Sequence, residues 1–311
     1  MGVSAEKSCP GHPRCADHHF AIEALHPVIG TTIGNYEVQR LIGEGGMGKV
    51  YLAVHSRLGR VAAVKVLGSR EGRDAEAVAR FLTEARAANA IRHENIVDIY
   101  DSGTMGNAGP YIIMEYLEGQ SLTQVLRRGA LDVADLIDWG CQVADALTAA
   151  HDNYVVHRDL KPDNLFLLPD PRRPGKRQVK VMDFGIANLQ RAEDRVYETQ
   201  TGVLLGTPLY MSPEQCMSLK DLDARSDIYS FGVILYEMAT GRRPFEADSF
   251  YGLMSMHISD PPKATQRLPQ GSAAPARRHH SASARQGSGE SAGIDGRGAV
   301  AIGARAWQRR G

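Results

Sequence analysis

Aromatic side chains are scarce in this chain: they make up 6% of its 311 residues, and only two are tryptophan. Cysteines are four, Cys9, Cys15, Cys141 and Cys216, too few for the dense disulfide framework of a small secreted domain. That scarcity fits a reducing, cytoplasmic setting. Neither charge is in excess, since 36 basic residues balance 36 acidic ones. The balance argues against a nucleic-acid binder or a membrane-surface binder. The longest strongly apolar run, residues 231–239, has a glycine inside it and falls far short of the roughly 20 residues that span a bilayer. No basic start followed by an apolar core marks a secretory signal, and no membrane span is expected. What remains is enough chain to bury a sizeable core in one large or two modest domains.

Residues 1–34 are rich in His, Pro, Cys and Gly without periodicity, and are expected to be a disordered leader. Cys9, His12, Cys15, His18 and His19 cluster there, but no second cysteine pair closes a tetrahedral zinc site. From Tyr36, short apolar runs alternate with glycines, and residues 36–42, 50–54 and 61–67 read as three strands. Residues 74–91 read as an alanine-rich helix with Asp74 as its N-cap. Two more strands are expected at 96–101 and 111–115. Residues 132–151 carry Val133, Leu136, Ile137, Cys141, Ala144 and Leu147 at helical spacing, which predicts the buried face of a helix. Residues 226–240 are apolar almost all round and predict a buried central helix, with one further helix at 248–257. Residues 266–311 are dominated by Gly, Ala, Ser, Arg and Gln, and are expected to be disordered.

Four segments carry the chemistry. Gly43-Glu44-Gly45-Gly46-Met47-Gly48-Lys49-Val50 fits G-x-G-x-x-G-x-V between two strands, where glycines let backbone amides approach phosphate oxygens. Its place between strands argues against a dinucleotide or Walker loop, which would open a helix. Ala62-Ala63-Val64-Lys65 lies on the next strand. His157-Arg158-Asp159-Leu160-Lys161-Pro162-Asp163-Asn164 and Asp183-Phe184-Gly185 follow in order. Together these resemble the signature set of eukaryotic-type (Hanks-type) serine/threonine protein kinases of bacteria, and the resemblance runs from about residue 36 to about 262.

The resemblance implies an α+β, two-lobe protein-kinase-like fold. A β-rich N-lobe would occupy 35–118, a truncated helical C-lobe 119–262, and a low-complexity tail 263–311. It implies ATP and Mg2+ as cofactors, protein substrates, and the chain itself as a substrate by autophosphorylation. Asp159 would accept the hydroxyl proton, Lys161 would neutralise the transferring phosphoryl group, and Thr207 would reach toward both. Lys65 would hold the phosphates with Glu84 as its ion-pair partner, although Glu71 and Glu76 are nearby alternatives. Asn164 and Asp183 would hold magnesium, which prefers hard oxygen ligands. Ile42, Gly43, Glu44, Gly45, Gly46, Met47, Gly48, Val50, Ala63, Met114, Glu115, Leu117 and Phe166 would surround the nucleotide between the lobes. Arg158 would pair with phosphate on Thr199 or Thr201 and so order the activation loop. Asp227 would anchor the catalytic-loop backbone.

Gly206-Thr207-Pro208-Leu209-Tyr210-Met211-Ser212-Pro213-Glu214 resembles the segment that positions a substrate peptide, with Ser212 in place of the usual alanine. In the family Glu214 pairs with an arginine from helices that are not recognisable here. A buried carboxylate stripped of its partner costs about 3–5 kcal/mol. Arg277, Arg278 or Arg285 are the available substitutes. The abrupt change of composition near residue 263 is read as a shifted frame or rearrangement, or else as a basic binding arm. Two other functions stay open: a kinase-derived, catalytically impaired nucleotide- or protein-binding module, and a small-molecule phosphotransferase. The peptide-positioning segment argues against the latter.

Overall fold

The computed structural model describes residues 28–45, 48–68, 72, 75–105, 109–184, 208–219 and 221–263. They fall into two compact units. One comprises the chain up to Leu82 with Ile99–Tyr116, and the other Thr83–Asp98 with the chain from Leu117 onward.

The first unit is an antiparallel sheet of β1 (Thr32–Ile33), β2 (Tyr36–Gly45), β3 (Gly48–His55), β4 (Val61–Leu67), β5 (Ile99–Met105) and β6 (Gly109–Glu115). Their spatial order is β1-β2-β3-β4-β6-β5. Every residue of β4 after Val61 is buried, which explains its nearly unbroken apolar sequence. Ile33, Val38, Tyr51, Ala53, Ala62, Val64 and Ile113 form the core, and Val28 joins it. The sheet therefore begins before Tyr36, where the sequence reads a leader. A two-residue strand is too short to show a period.

The second unit holds the later part of α1 (Ala75–Ala90), then β7 (Gln120–Ser121), α2 (Leu122–Leu126), α3 (Val133–Asp152), β8 (Leu165–Pro169), β9 (Arg177–Val181), α4 (Pro213–Cys216), α5 (Ala224–Thr240) and α6 (Phe250–Ser259). β7, β8 and β9 form a small antiparallel sheet. Asp132 caps α3 by accepting the Asp135 amide at 2.9 Å, and Ser249 caps α6 by accepting that of Gly252 at 3.0 Å.

Three expectations are corrected. The strand predicted at 96–101 starts at Ile99, because Ile96 and Val97 turn to β9 instead. Val97 N donates to Val181 O at 3.0 Å, and Val181 N donates to Asn95 O at 2.8 Å. In α3 the buried face is Trp139, Gly140, Val143, Ala146, Leu147 and Ala150, whereas Val133, Ile137 and Cys141 are exposed. Small residues decide this: a Cβ on Gly140 would lie 3.2 Å from Leu235 of α5, so this face packs closest. Nor is α5 buried all round. Ser226, Asp227, Ser230, Val233, Ile234, Met238 and Ala239 are buried, while Ile228 is 44% exposed.

Candidate active site

The proposed catalytic loop lies in the second unit, between α3 and β8. The Asp227 carboxylate, in the first turn of α5 and 1% exposed, sets its backbone. Its Oδ2 accepts His157 N at 2.8 Å, and its Oδ1 accepts Arg158 N at 2.9 Å. His151, in the last turn of α3, brings Nε2 to 2.8 Å from the same Oδ2. Arg158 is held at φ +63°, a region that costs a non-glycine residue about 1–3 kcal/mol and persists only where surroundings enforce it. Asp183 shares this feature, at φ +53°.

Within the loop, Lys161 Nζ lies 2.7 Å from Asp159 Oδ2, and Asn164 Nδ2 donates to the Asp159 carbonyl at 2.8 Å. A single turn of 3-10 helix at Pro162–Asn164 brings Asn164 back to Asp159. The Asp183-Phe184 segment is tied in by its predecessor. Met182 N donates to Asn164 O at 2.9 Å, and His157 Nε2 meets Met182 O at 2.9 Å. A ring nitrogen facing a carbonyl must carry the proton, so Nδ1 is the acceptor for Asp159 N at 3.3 Å. The His157 ring also packs on that of Phe184, 4.7 Å between centroids. Asp159, Lys161 and Asn164 thus sit on one loop, tied by backbone to the loop of Asp183.

The same stripe of α5 also holds residues 210–212. Ser212 Oγ meets Ser226 Oγ at 3.2 Å, and Ser230 Oγ donates to Tyr210 O at 2.6 Å. The Tyr210 hydroxyl donates to Glu237 Oε2 at 2.6 Å, and burial, then that bond, holds it protonated well above the usual phenol range. Ser212 gains a role where the family more often has alanine, since it caps α4 in a reciprocal box with Gln215. Cys216, at the end of α4, is pushed up to about 12 by burial and by Glu214, so it stays a thiol. Glu214 itself is only partly buried and does not lack a partner, so the large penalty expected for an orphaned buried carboxylate does not apply.

In the first unit, β2 and β3 form the glycine-rich hairpin, with a register shift between Leu41 and Gly43. Ile42 lies at that shift, and Glu44 pairs with Lys49 across the strands at 3.4 Å. Gly48 has φ +140°, and a Cβ there would lie 2.0 Å from Val66 O. Its glycine is demanded by the sheet itself. Gly45 differs, because a Cβ would meet nothing within 4 Å. Lys65 is 7% exposed in β4, engaged by a neighbour, and registered with Val50 on one side and Ile112 on the other. Ala63 pairs with Met114, and Ala62 with Glu115. Leu117 and Phe166 belong to the second unit, Phe166 opposite Ser121 in the small sheet.

Glu84 lies in α1, but its side chain is outside the described residues. So are Gly46, Met47, Glu71, Asp74, Gly185, Thr199, Thr201, Thr207, Arg277, Arg278 and Arg285, the Cys9 and His12 cluster, and the tail. Among the described residues no group of three His, Cys, Asp or Glu could hold a metal. The donor set of Asn164 and Asp183 still fits a hard cation. The Asn164 amide nitrogen is committed to Asp159, which leaves its oxygen as the group to present. Sequence reasoning missed His151, Ser226, Ser230 and Gln215. His151, Ser226 and Ser230 bond through space to residues far along the chain and carry no local pattern, whereas Ser212-Pro213-Glu214-Gln215 is a capping-box spacing that could have flagged Gln215.

The family model for the protein kinase domain matches residues 36–286. Serine/threonine-protein kinase Pkn1 of Myxococcus xanthus is 42% identical over 284 residues, covering 87% of this chain and 39% of Pkn1. Serine/threonine-protein kinase PknA of Mycobacterium tuberculosis is 41% identical over 244 residues, covering 76% of this chain and 54% of PknA. The chain therefore spans only part of the length of the curated relatives it matches. The crystal structure of the PknI kinase domain of Mycobacterium tuberculosis superposes with a TM-score of 0.56 at 26% identity, over 75% of this chain and 91% of that one. With the two-unit α+β architecture and the tied loops of Asp159 and Asp183, these matches show that the chain belongs to the protein kinase domain family.

Proposed function

We propose that this chain is a serine/threonine protein kinase that transfers the γ-phosphoryl group of ATP to hydroxyls of protein substrates. Protein kinases as a family use ATP and a divalent metal; Mg2+ is the metal proposed here, and it would neutralise phosphate charge. Asn164 and Asp183 would hold it by oxygen. The substrate hydroxyl oxygen would form the new bond to phosphorus as the bond to the ADP oxygen breaks. Asp159 would take the hydroxyl proton, and Lys161, already beside it, would stabilise charge on the transferring group. Lys65 would hold the phosphates with Glu84 as its partner. Ile42, Gly43, Glu44, Gly45, Gly46, Met47, Gly48 and Val50 would cover them, with Ala63, Met114, Glu115, Leu117 and Phe166 toward the purine. Thr207 and residues 208–214 would position the acceptor, and autophosphorylation at Thr199 or Thr201 would give Arg158 a phosphate partner.

What supports this reading most is the Asp159 carboxylate with Lys161 at 2.7 Å and Asn164 bonded to its own carbonyl. That arrangement sets a carboxylate, an ammonium and a carboxamide oxygen on one short loop, the three groups that the proposed proton acceptor, charge stabiliser and metal ligand would need. No helix among the described residues is long and apolar enough to cross a membrane. The testing experiment is incubation with Mg-ATP and a generic protein substrate, followed by phosphosite mapping, with Asp183→Asn as control. Phosphate incorporated by the parent and not by the variant is the expected result. Nucleotide binding without transfer by either would replace the kinase with a kinase-derived binding module.

A further inference from the structure

The carbonyl of Arg158, the residue immediately before Asp159, is bonded from an unexpected direction. Gln215 of α4 donates from Nε2 to Arg158 O at 2.5 Å. Its Oε1 accepts the Ser212 amide at 2.9 Å, so the orientation of the carboxamide is fixed by two partners of opposite kind. The Gln215 backbone amide donates in turn to Ser212 Oγ at 3.3 Å. One side chain therefore closes the N-terminus of α4 and reaches back to the catalytic loop.

That bond acts on a strained residue. Arg158 sits at φ +63°, its N–H held by Asp227 Oδ1 at 2.9 Å. With only the N–H fixed, the peptide joining Arg158 to Asp159 could relax toward the favoured region and re-aim the carboxylate. With the carbonyl fixed as well, that peptide plane has one orientation. The next link, Asp159 N to His157 O at 2.8 Å, depends on the same orientation.

We propose that Gln215 is a positioning residue for Asp159, and that it couples the segment proposed to receive substrate peptide to the proton acceptor. The proposal rests on the assignment of Asp159 under the kinase reading. Because residues 208–216 lead into α4, a shift there on peptide binding would be felt at Arg158 O through one hydrogen bond. No charge and no backbone strand is needed for the link.

Gln215→Glu separates this role from helix capping. Glutamate serves equally well at the third position of a capping box, but it cannot donate to a carbonyl. The expected result, in the full chain, is a melting temperature lowered by a few degrees, because the Arg158 carbonyl loses its donor, with faster amide hydrogen exchange in peptides covering 156–160. In steady-state assays kcat should fall by about tenfold to a hundredfold while KM for ATP holds. Ser212→Ala, which removes the cap hydroxyl and spares the Gln215 amide, should raise exchange near 212–217 only. Parent-like exchange at 156–160 in Gln215→Glu would overturn the proposal, as would an equal effect from Ser212→Ala. If Gln215→Glu does not fold, Gln215→Met, which loses the cap bond as well, is read against Ser212→Ala: exchange at 156–160 that rises in Gln215→Met and not in Ser212→Ala supports the link, and exchange that rises in neither overturns it. A parent that transfers no phosphate defeats the kinase reading, and the exchange data then decide the link alone.

Discussion

Asp227 Oδ1 accepts the amide of Arg158 at 2.9 Å, and Arg158 is the residue of the proposed catalytic loop forced into a left-handed conformation. The two are 69 positions apart in the chain, so a buried carboxylate on α5 fixes the N–H side of a local strain that the loop sequence could not hold by itself, while Gln215 fixes the carbonyl side. Asp227→Asn is expected to keep one amide bond and set its own NH2 against the other donor. Leaving that buried N–H unsatisfied should cost about 1–3 kcal/mol in urea unfolding. It should also lower kcat more than KM for ATP, because it is backbone aim at Asp159 that is lost. A variant with parent-like stability and kcat would show that the strain is maintained elsewhere.

The glycine-rich hairpin allows its fold role and its proposed phosphate role to be separated. Gly48→Ala drives a Cβ to 2.0 Å from Val66 O at φ +140°, and should destabilise the first unit severely or prevent its folding. Gly45→Ala meets nothing within 4 Å, so its thermal stability should stay within about 1 kcal/mol of the parent. If amides at this turn approach phosphate, Gly45→Ala should still weaken nucleotide binding. Titration with ATP and a melting curve on each variant decide the matter; unimpaired binding by Gly45→Ala would remove Gly45 from the nucleotide site.

Legibility in the sequence followed locality. The glycine hairpin, Lys65 in β4 and the loop of Asp159 are contiguous runs whose residue types and order announce them. The limits of β4 matched because all its residues after Val61 are buried. The face of α3 was misread because Val133, Ile137 and Cys141 mimic an apolar stripe, while the packed face uses Gly140, Ala146 and Ala150. Small residues give a weak hydrophobic signal and yet allow the closest approach of α5. The polar ties are harder still. His151 and Gln142 act through partners distant in sequence, and a lone Gln or His has no period to betray it; the capping-box spacing Ser212 to Gln215 marks the helix start but not the bond to Arg158.

Gln142 of α3 gives the clearest stability test of such a tie. Its Oε1 accepts Val179 N at 2.8 Å and Asn95 Nδ2 at 3.0 Å, while its Nε2 donates to Arg177 O at 3.1 Å. Asn95 Nδ2 also donates to Val179 O at 2.8 Å. This carboxamide thus joins α3, β9 and the segment after α1 just upstream of Met182 and Asp183. Gln142→Leu should cost about 1–3 kcal/mol by stranding the Val179 amide. Exchange should rise along β9 and into the Asp183 loop. Protection that stays at parent level there would mean β7, β8 and β9 hold the loop without α3.

His257 makes the stability of the second unit depend on pH. It lies 1% exposed in the last turn of α6, with Nδ1 2.9 Å from the Tyr229 hydroxyl and its ring against Phe245. Burial lowers its pKa to about 4, and the Pro208 and Leu209 carbonyls oppose that shift only in part. The unfolded chain, with an ordinary histidine near 6.5, therefore binds a proton in a range where the folded chain does not. Native stability from this group is complete above about pH 6.5 and falls as the pH drops toward 4, at up to about 1.4 kcal/mol per unit. His257→Gln retains a polar partner for Tyr229 and cannot titrate, so its unfolding free energy should lose less over that interval than the parent's. Urea melts at half-unit pH steps on both proteins measure the difference. Parallel curves would mean that the His257 ring gains a partner on protonation, and that acid sensitivity arises from the carboxylates alone.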